Sequence, residues 1–191
     1  ILKITLPPAD GEYFITLEDY IKTTLSEADA DAWWEQEEGP AMGKEFKPWN
    51  AKRYPVVARW LETNNAALDA VQLAVQRPRY YFPAVSRDPD DSMVTMAIPA
   101  VQANMSMGTA LAVRAMLRID SGDARGAWAD LLAARHLARR FGSGYTMVEN
   151  LVAIAIETIA CSASSGLAGS GKLTGSQARA FIADMQRLGS I

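Results

Sequence analysis

The sequence predicts an all-α protein, and two observations support this prediction. Alanine, which loses the least free energy on entering a helix, supplies 32 of the 191 residues. Several stretches begin with Ser, Thr or Asp and continue with apolar residues at intervals of three and four, the pattern of a capped amphipathic helix. Since 49% of the residues are apolar, we expect a packed core and not a disordered chain.

Residues 1–50 form an acidic segment that we predict to pack against the rest of the chain. They carry 11 acidic and 4 basic side chains, a balance of −7, whereas residues 51–191 have a balance of +4. Three of the five tryptophans also lie in this segment, and indole rings need burial. We therefore divide the chain into an acidic N-terminal segment and a helical domain that interact.

The N-terminal segment begins with an alternating stretch and continues with two short helices. Residues 1–6 alternate between apolar and polar, which predicts a short strand or an extended arm. Thr16 and Ser26 are each followed by Asp three residues later, and such a pair satisfies free backbone N–H groups at a helix start. The predicted helices cover about residues 17–25 and 27–38.

The helical domain is predicted to contain six helices. They cover residues 55–61, 65–77, 100–119, 124–141, 146–164 and 175–188. Thr146 with Glu149 and Thr174 with Gln177 are capping-box patterns at the starts of the last two. Residues 78–98 contain three prolines and an Asp-rich turn, which predicts a functional loop or a subdomain boundary. The last four helices are joined by short loops, so consecutive helices should pack antiparallel as stacked hairpins.

Residues 112–140 resemble one tetratricopeptide unit, a helical hairpin of about 34 residues. Ala115, Ala127 and Ala134 fall where that unit has small residues, which let the paired helices approach closely. The match is partial, because Arg118 stands where the first helix usually has an aromatic residue, and no second unit follows at a fixed spacing. The resemblance implies antiparallel hairpins stacked in the tetratricopeptide manner.

The chain also resembles an uncharacterised bacterial family of helical proteins. The matching stretches are Arg-Pro-Arg-Tyr-Tyr at residues 77–81 and a series of matches between Gly122 and Ala155, so the resemblance spans most of residues 55–188. It implies a helical fold with no assigned activity, in proteins often longer than this chain and with an upstream hydrophobic segment. Because the chain begins at Ile1, we expect such a segment in a longer protein and a possible envelope location.

Residue counts argue against several classes of function. The single cysteine, Cys161, and the single histidine, His136, cannot form a disulfide or assemble a Cys–His zinc site. The net charge of −3 gives no reason to expect nucleic acid as a partner. The longest charge-free apolar run near the end, Leu151–Ile156, is far shorter than the roughly 20 residues of a membrane span. We predict no metal, no cofactor, no nucleic acid and no membrane span.

A tryptophan and four arginines are candidate contacts for a partner. Trp128, Arg135 and Arg139 share one side of helix 124–141, and we expect two arginines of the preceding helix to face the same groove. Guanidinium groups beside an indole bind anions or a peptide carboxylate. The predicted function is therefore a protein- or peptide-interaction module with Arg114, Arg118, Trp128, Arg135 and Arg139 as contacts. The alternative is that Trp128 packs on the next helix and the arginines pair with nearby carboxylates.

Helix 146–164 is apolar almost all round except for a polar stripe, formed by Glu149, Asn150 and Glu157. Buried carboxylates must find cations or have their pKa raised, and we favour pairing of Glu149 or Glu157 with the arginines. One alternative function is a small-ligand-binding or hydrolytic domain in which these two glutamates act as general acid and base. Another alternative is a structural part of a longer envelope-associated protein.

Overall fold

The computed structural model describes residues 14–36, 46–77, 93–144 and 146–188, and within them every regular element is a helix. The seven helices in these ranges are α1 (Leu17–Thr24), α2 (Glu27–Gln36), α3 (Pro55–Ala74), α4 (Met93–Asp120), α5 (Ala124–Gly142), α6 (Met147–Gly169) and α7 (Gly175–Arg187). The all-α prediction is confirmed. The strand or arm predicted at residues 1–6 lies outside the described residues.

Helix α3 is continuous where the sequence predicted two helices. The predicted break falls at Asn64, a residue that helices disfavour because its amide competes for backbone hydrogen bonds. Here the Asn64 amide donates to the Trp60 carbonyl oxygen of the same helix and to the Ile15 carbonyl oxygen, both at 3.0 Å. The side chain is therefore satisfied inside the fold, and the helix continues through it.

Helix α4 begins earlier than predicted. It starts at Met93, so the last six residues of the predicted irregular stretch 78–98 are helical, and Pro99 lies inside the helix. Proline in a helix forfeits one backbone hydrogen bond, which is why the sequence predicted a break. The rest of that stretch, residues 78–92, lies outside the described residues.

Helices α4, α5 and α6 form the centre of the core, and each contacts the other two. Arg114 of α4 contacts Asp130 of α5. Arg118, one turn later on α4, contacts Gly126, one turn earlier on α5. These contacts run in opposite order along the two helices, so α4 and α5 are antiparallel, as predicted. The tetratricopeptide type of stacking stays a prediction.

Two glycines allow close approach between chain segments in this core. A Cβ atom added at Gly108 of α4 would lie 2.9 Å from Cγ2 of Ile156 on α6. One added at Gly166 of α6 would overlap the carbonyl oxygen of Phe46. The backbone that precedes α3 therefore lies directly against α6, where a larger residue would not fit.

The described parts of the N-terminal segment, residues 14–36 and 46–50, pack on the helical domain, as predicted. The backbone N–H of Ile15 donates to the Asn64 side chain at 2.8 Å, and the Trp60 indole donates to the Ile15 carbonyl oxygen at 2.8 Å. Further along, the indole of Trp49 is buried and donates to the Val113 carbonyl oxygen at 2.9 Å. These contacts join uncharged groups, so the attachment uses hydrogen bonds and burial in addition to any attraction between the oppositely charged segments.

Candidate functional site

The five predicted contact residues do not line one groove. Arg114 and Arg118 point into the junction of α3, α4 and α5. Arg135 and Arg139 bind a carboxylate of α6, whereas Trp128 packs on α7. The geometry differs from the expected one because α5 contacts four of the described helices, α3, α4, α6 and α7, so residues on adjacent parts of its surface meet different helices. This placement matches the alternative in which the arginines pair internally.

Arg114 and Asp130 are the centre of a buried network. Both side chains are almost inaccessible to solvent, at 3% and 0% exposure. The Arg114 Nη2 donates to Oδ1 of Asp130 at 2.6 Å, and Nε donates to Oδ2 at 3.1 Å. Such a bidentate contact fixes the orientation of both side chains, since two N–H groups of the planar guanidinium match the two carboxylate oxygens.

Four further side chains join this network, and one of them is Asn65 of α3, which accepts from Arg114 at 3.2 Å. Asp69 of α3 accepts from Arg114 at 2.8 Å, and Gln72 of α3 donates to Asp130 at 2.6 Å. Arg118 also donates to Asp130, at 2.8 Å. Burial raises the pKa of the Asp130 carboxyl group, while the hydrogen bonds and positive charges of the two arginines act against that shift. The network joins α3, α4 and α5, and we call it the Asp130 network.

Asp130 was not among the predicted site residues, although the sequence contains a signal for it. Asp130 stands three residues after Ala127 and four before Ala134, so it lies on the core-facing stripe of α5. An ionised carboxylate at a core position requires cationic or hydrogen-bonding partners. Those partners come from α3 and α4, and single-helix periodicity does not reveal them.

A second cluster joins α5 to α6 around Glu157. Its carboxylate binds Arg135 through Oε1 and Arg139 through Oε2, the latter at 2.9 Å. Arg135 is 2% exposed and also donates from Nη2 to Ser164 at 3.1 Å and to the Cys161 sulfur at 3.5 Å. Its Nε is buried and has no hydrogen-bond partner among the residues that the structure describes. The favoured pairing of Glu157 with Arg135 or Arg139 is therefore found, and both arginines take part.

Glu149 and Asn150 have a different role from Glu157. Glu149 is buried and accepts from the backbone N–H and the hydroxyl of Thr146, at 2.8 Å each, in a reciprocal capping box at the start of α6. The exposed Asn150 donates to the Thr146 carbonyl oxygen at 3.1 Å. The favoured pairing was of Glu149 or Glu157 with an arginine; Glu157 makes it, and Glu149 belongs to the cap, because the first turn of a helix stabilises a carboxylate.

Trp128 attaches the last helix to the core. Its ring stacks on Phe181 of α7, with ring centroids 4.6 Å apart and planes 13° apart. Its indole N–H donates to Asp184 of the same helix at 2.9 Å. Because both the ring face and the N–H are engaged, the indole is committed to packing in this structure.

Comparison with models of protein families, with curated proteins and with solved structures finds no match for this chain. The resemblance to a bacterial family therefore stays a prediction. Among the residues that the structure describes, no group of three histidine, cysteine or acidic side chains converges to hold a metal ion. The features that can indicate a function are therefore the exposed surfaces of the described helices.

Helix α6 is unusual because it is apolar on both its inner and its outer side. Within the described residues it is the one helix long and apolar enough to cross a membrane, with a mean hydropathy of 1.7 over the best window. It packs against α4 and α5, and a core helix passes the same test of length and composition. This result is compatible with the predicted absence of a membrane span.

The outer side of α6 presents a row of uncharged side chains to solvent. Three large apolar members, Met147, Leu151 and Ile154, are 79%, 59% and 54% exposed. Smaller exposed residues continue the row after intervals that alternate between four and three. We call this row the α6 stripe; it consists of Met147, Leu151, Ile154, Thr158, Cys161 and Ser165. A helix that is apolar almost all round, as residues 146–164 are, is predicted to be central and buried, and so the stripe was not among the predicted sites.

Proposed function

We propose that this protein is a helical scaffold that binds an apolar α-helix of a partner protein on the α6 stripe. The observation that carries the proposal is the exposure of more than half of each large apolar side chain in the stripe. Single exposed apolar residues are common on soluble proteins, but a contiguous row on one helix is typical of an interaction surface. The proposal keeps the predicted class, a protein- or peptide-interaction module, and moves its binding surface to α6.

The spacing of the stripe favours a helix as the bound element. Intervals that alternate between four and three residues form a straight seam, into which a second helix inserts its side chains. The small side chains of Thr158, Cys161 and Ser165 let that helix approach closely at the C-terminal half. The 23 residues of α6 span about 34 Å, so a partner helix of about six turns covers the row.

The charge of the stripe favours a protein partner. The stripe contains no charged side chain, and the nearby Glu157 is neutralised by Arg135 and Arg139. Nucleic acids and anionic lipid surfaces are recognised mainly through lysine and arginine, which the stripe lacks. An uncharged apolar helix face complements it without leaving a buried charge unpaired.

The geometry does not favour the hydrolytic alternative. Glu149 and Glu157 are eight residues apart on α6, which places their backbones about 12 Å apart along the helix axis. Glu149 is held by the Thr146 cap and Glu157 by the two arginines, so neither carboxylate is placed to exchange a proton with a shared substrate. A structural role in an envelope-associated protein rests on the family resemblance alone and stays a prediction.

Site-specific photo-crosslinking tests the proposal. A photoreactive leucine analogue replaces Leu151 in the stripe of the full-length protein in its native cell. The matched control places the same analogue at Leu73 of α3, which is 68% exposed and lies outside the stripe. We expect position 151, and not position 73, to crosslink to a defined segment of another protein. Crosslinks only to lipid, or only to a second copy of this chain, would contradict the proposal.

Affinity measurements then decide whether the stripe itself binds. The crosslinked segment is synthesised as a peptide and titrated against the wild-type protein, Ile154→Glu and the control Leu73→Glu. We expect the peptide to become helical on binding. Ile154→Glu should weaken the affinity for the peptide at least about tenfold, since the new carboxylate would be buried in the complex without a partner. Equal affinities for the two variants would show that the stripe is not the binding surface.

A further inference from the structure

Four of the described helices line a cleft. It has a volume of about 490 Å³, opens to solvent, and lies between the start of α1, the end of α2, α3 and the middle of α4. Small-molecule sites commonly have volumes of about 300 to 1,000 Å³. The side chains used below to infer its ligand are Glu18, Asp19, Trp34, Trp60, Ser106 and Thr109.

Two tryptophans contribute to the wall of the cleft, and both are held in place. Trp60 is 2% exposed, and its indole N–H is fixed on the Ile15 carbonyl oxygen at 2.8 Å. Trp34 is half-buried and packs edge to face on Trp33, with ring centroids 4.9 Å apart and planes at 88°. Aromatic walls that are already ordered bind a ligand with little further loss of conformational entropy.

The charged side chains that line the cleft are both acidic. Glu18 and Asp19 lie in the first turn of α1, and among the lining residues that the structure describes there is no lysine, arginine or histidine. Lys22 binds Glu18 at 2.6 Å from one turn further along α1, and Thr16 donates to Asp19 at 2.6 Å. These contacts are exposed to solvent, so a ligand cation competes with them at little cost. The remaining polar groups include the hydroxyls of Ser106 and Thr109.

We propose that this cleft binds a small organic cation, an alkylated ammonium group with a short polar chain. The half-buried indole of Trp34 can attract a cation through its negative face, with the buried Trp60 behind it as part of the apolar wall, and the two carboxylates add a complementary charge. The hydroxyls of Ser106 and Thr109 suit the polar end of such a ligand. A simple metal ion suits the cleft poorly, because no three ligating side chains converge among the described residues. The proposal does not depend on the α6 stripe, which lies on a different helix.

Titration with a pair of isosteric probes tests the charge requirement. Choline carries a quaternary ammonium group, and 3,3-dimethylbutan-1-ol has the same shape with carbon in place of the charged nitrogen. We expect choline to bind saturably and to shift the indole N–H resonances of Trp34 and Trp60, and the neutral alcohol to bind at least about threefold more weakly. Equal affinity for both probes, or no saturable binding of choline, would overturn the proposal.

Variants locate the binding to this cleft. We expect Trp34→Leu to weaken choline about threefold to thirtyfold. Trp33→Leu removes a ring outside the lining that supports Trp34, so it should weaken choline less than Trp34→Leu. If either substitution unfolds α2, a second pair of variants shows whether choline binds in this cleft. Glu18→Gln should weaken choline and leave the neutral probe unaffected, and Glu27→Gln, an exposed acid outside the lining, should change neither. Choline binding that is insensitive to both Trp34→Leu and Glu18→Gln would overturn the proposed site.

Discussion

The guanidinium group of Arg114 holds the Asp130 carboxylate through its Nε–Nη2 edge, inside a core where neither side chain reaches solvent. This contact explains how a helix rich in alanine keeps a fixed position between two neighbours. Because the side chains of α5 are small, the helix could pack against α3 and α4 at many rotations about its axis and many shifts along it. The hydrogen bonds of the Asp130 network form at only one of these positions. We infer that the network selects the packing of α3, α4 and α5 more than it adds to stability.

Removing the Asp130 carboxylate should destabilise the fold strongly. Asp130→Ala leaves Arg114 buried with one partially exposed acid, Asp69, and we expect a loss of about 3–5 kcal/mol in the free energy of unfolding. Asp130→Asn should lose less, because its amide oxygen still accepts hydrogen bonds. Urea denaturation measures both variants, with Lys22→Gln on the exposed surface as a control that changes little. A loss below about 1 kcal/mol for Asp130→Ala would contradict the role of the network.

The arginines of α5 should also be structural, and to different degrees. Arg135 is 2% exposed and binds Glu157, so Arg135→Ala should lower Tm by about 6–12 °C, equivalent to a loss of roughly 3 kcal/mol. Arg139→Ala should lower it less, since Arg139 is more exposed and Arg135 remains on Glu157. If these arginines instead formed a binding site for a partner, both alanine variants would have nearly the same Tm as the wild type. Differential scanning calorimetry distinguishes the two.

Gly166 should not tolerate even a methyl group. Gly166→Ala places a Cβ against the carbonyl oxygen of Phe46, and a backbone atom cannot move aside cheaply, so we expect a loss of about 1–3 kcal/mol. Gly169→Ala is the matched control in the same helix, because nothing lies within 4 Å of the added Cβ. That variant should be neutral or more stable by up to about 1 kcal/mol. Similar stabilities for both variants would contradict the close contact.

His136 should make the fold sensitive to mild acid. Burial, followed by the charges of Arg139 and Arg140, lowers the pKa of His136 below its ordinary value of 6.5. Protonation of His136 is therefore less favourable in the folded than in the unfolded state. The stability associated with the neutral histidine is fully present above pH 6.5 and is lost as pH falls from 6.5 towards the lowered pKa. We expect the unfolding free energy of the wild type to fall over that interval relative to His136→Gln. Parallel pH profiles would show that the histidine is not perturbed.

The positions of most helices follow from local sequence signals. The side chains of Thr16, Thr146 and Thr174 cap α1, α6 and α7, as their spacing to Asp19, Glu149 and Gln177 predicts. Capping is a contact over three residues, so it can be inferred without knowledge of the rest of the fold. The errors arose where tertiary contacts override local preference, as at Asn64, whose amide binds Ile15 across 49 positions of sequence.

The sequence by itself determined that the chain is helical, where its capped helices begin, and that Glu157 needs a cation. Only the tertiary structure decided which arginines pair with which acids, since that depends on the rotation and crossing of three helices and not on the period of one. It also decided that the outer side of α6 has no neighbour among the described helices. The period of apolar residues along a helix shows which side chains gain from burial. Whether a given side chain is buried depends on how many neighbouring helices surround its own.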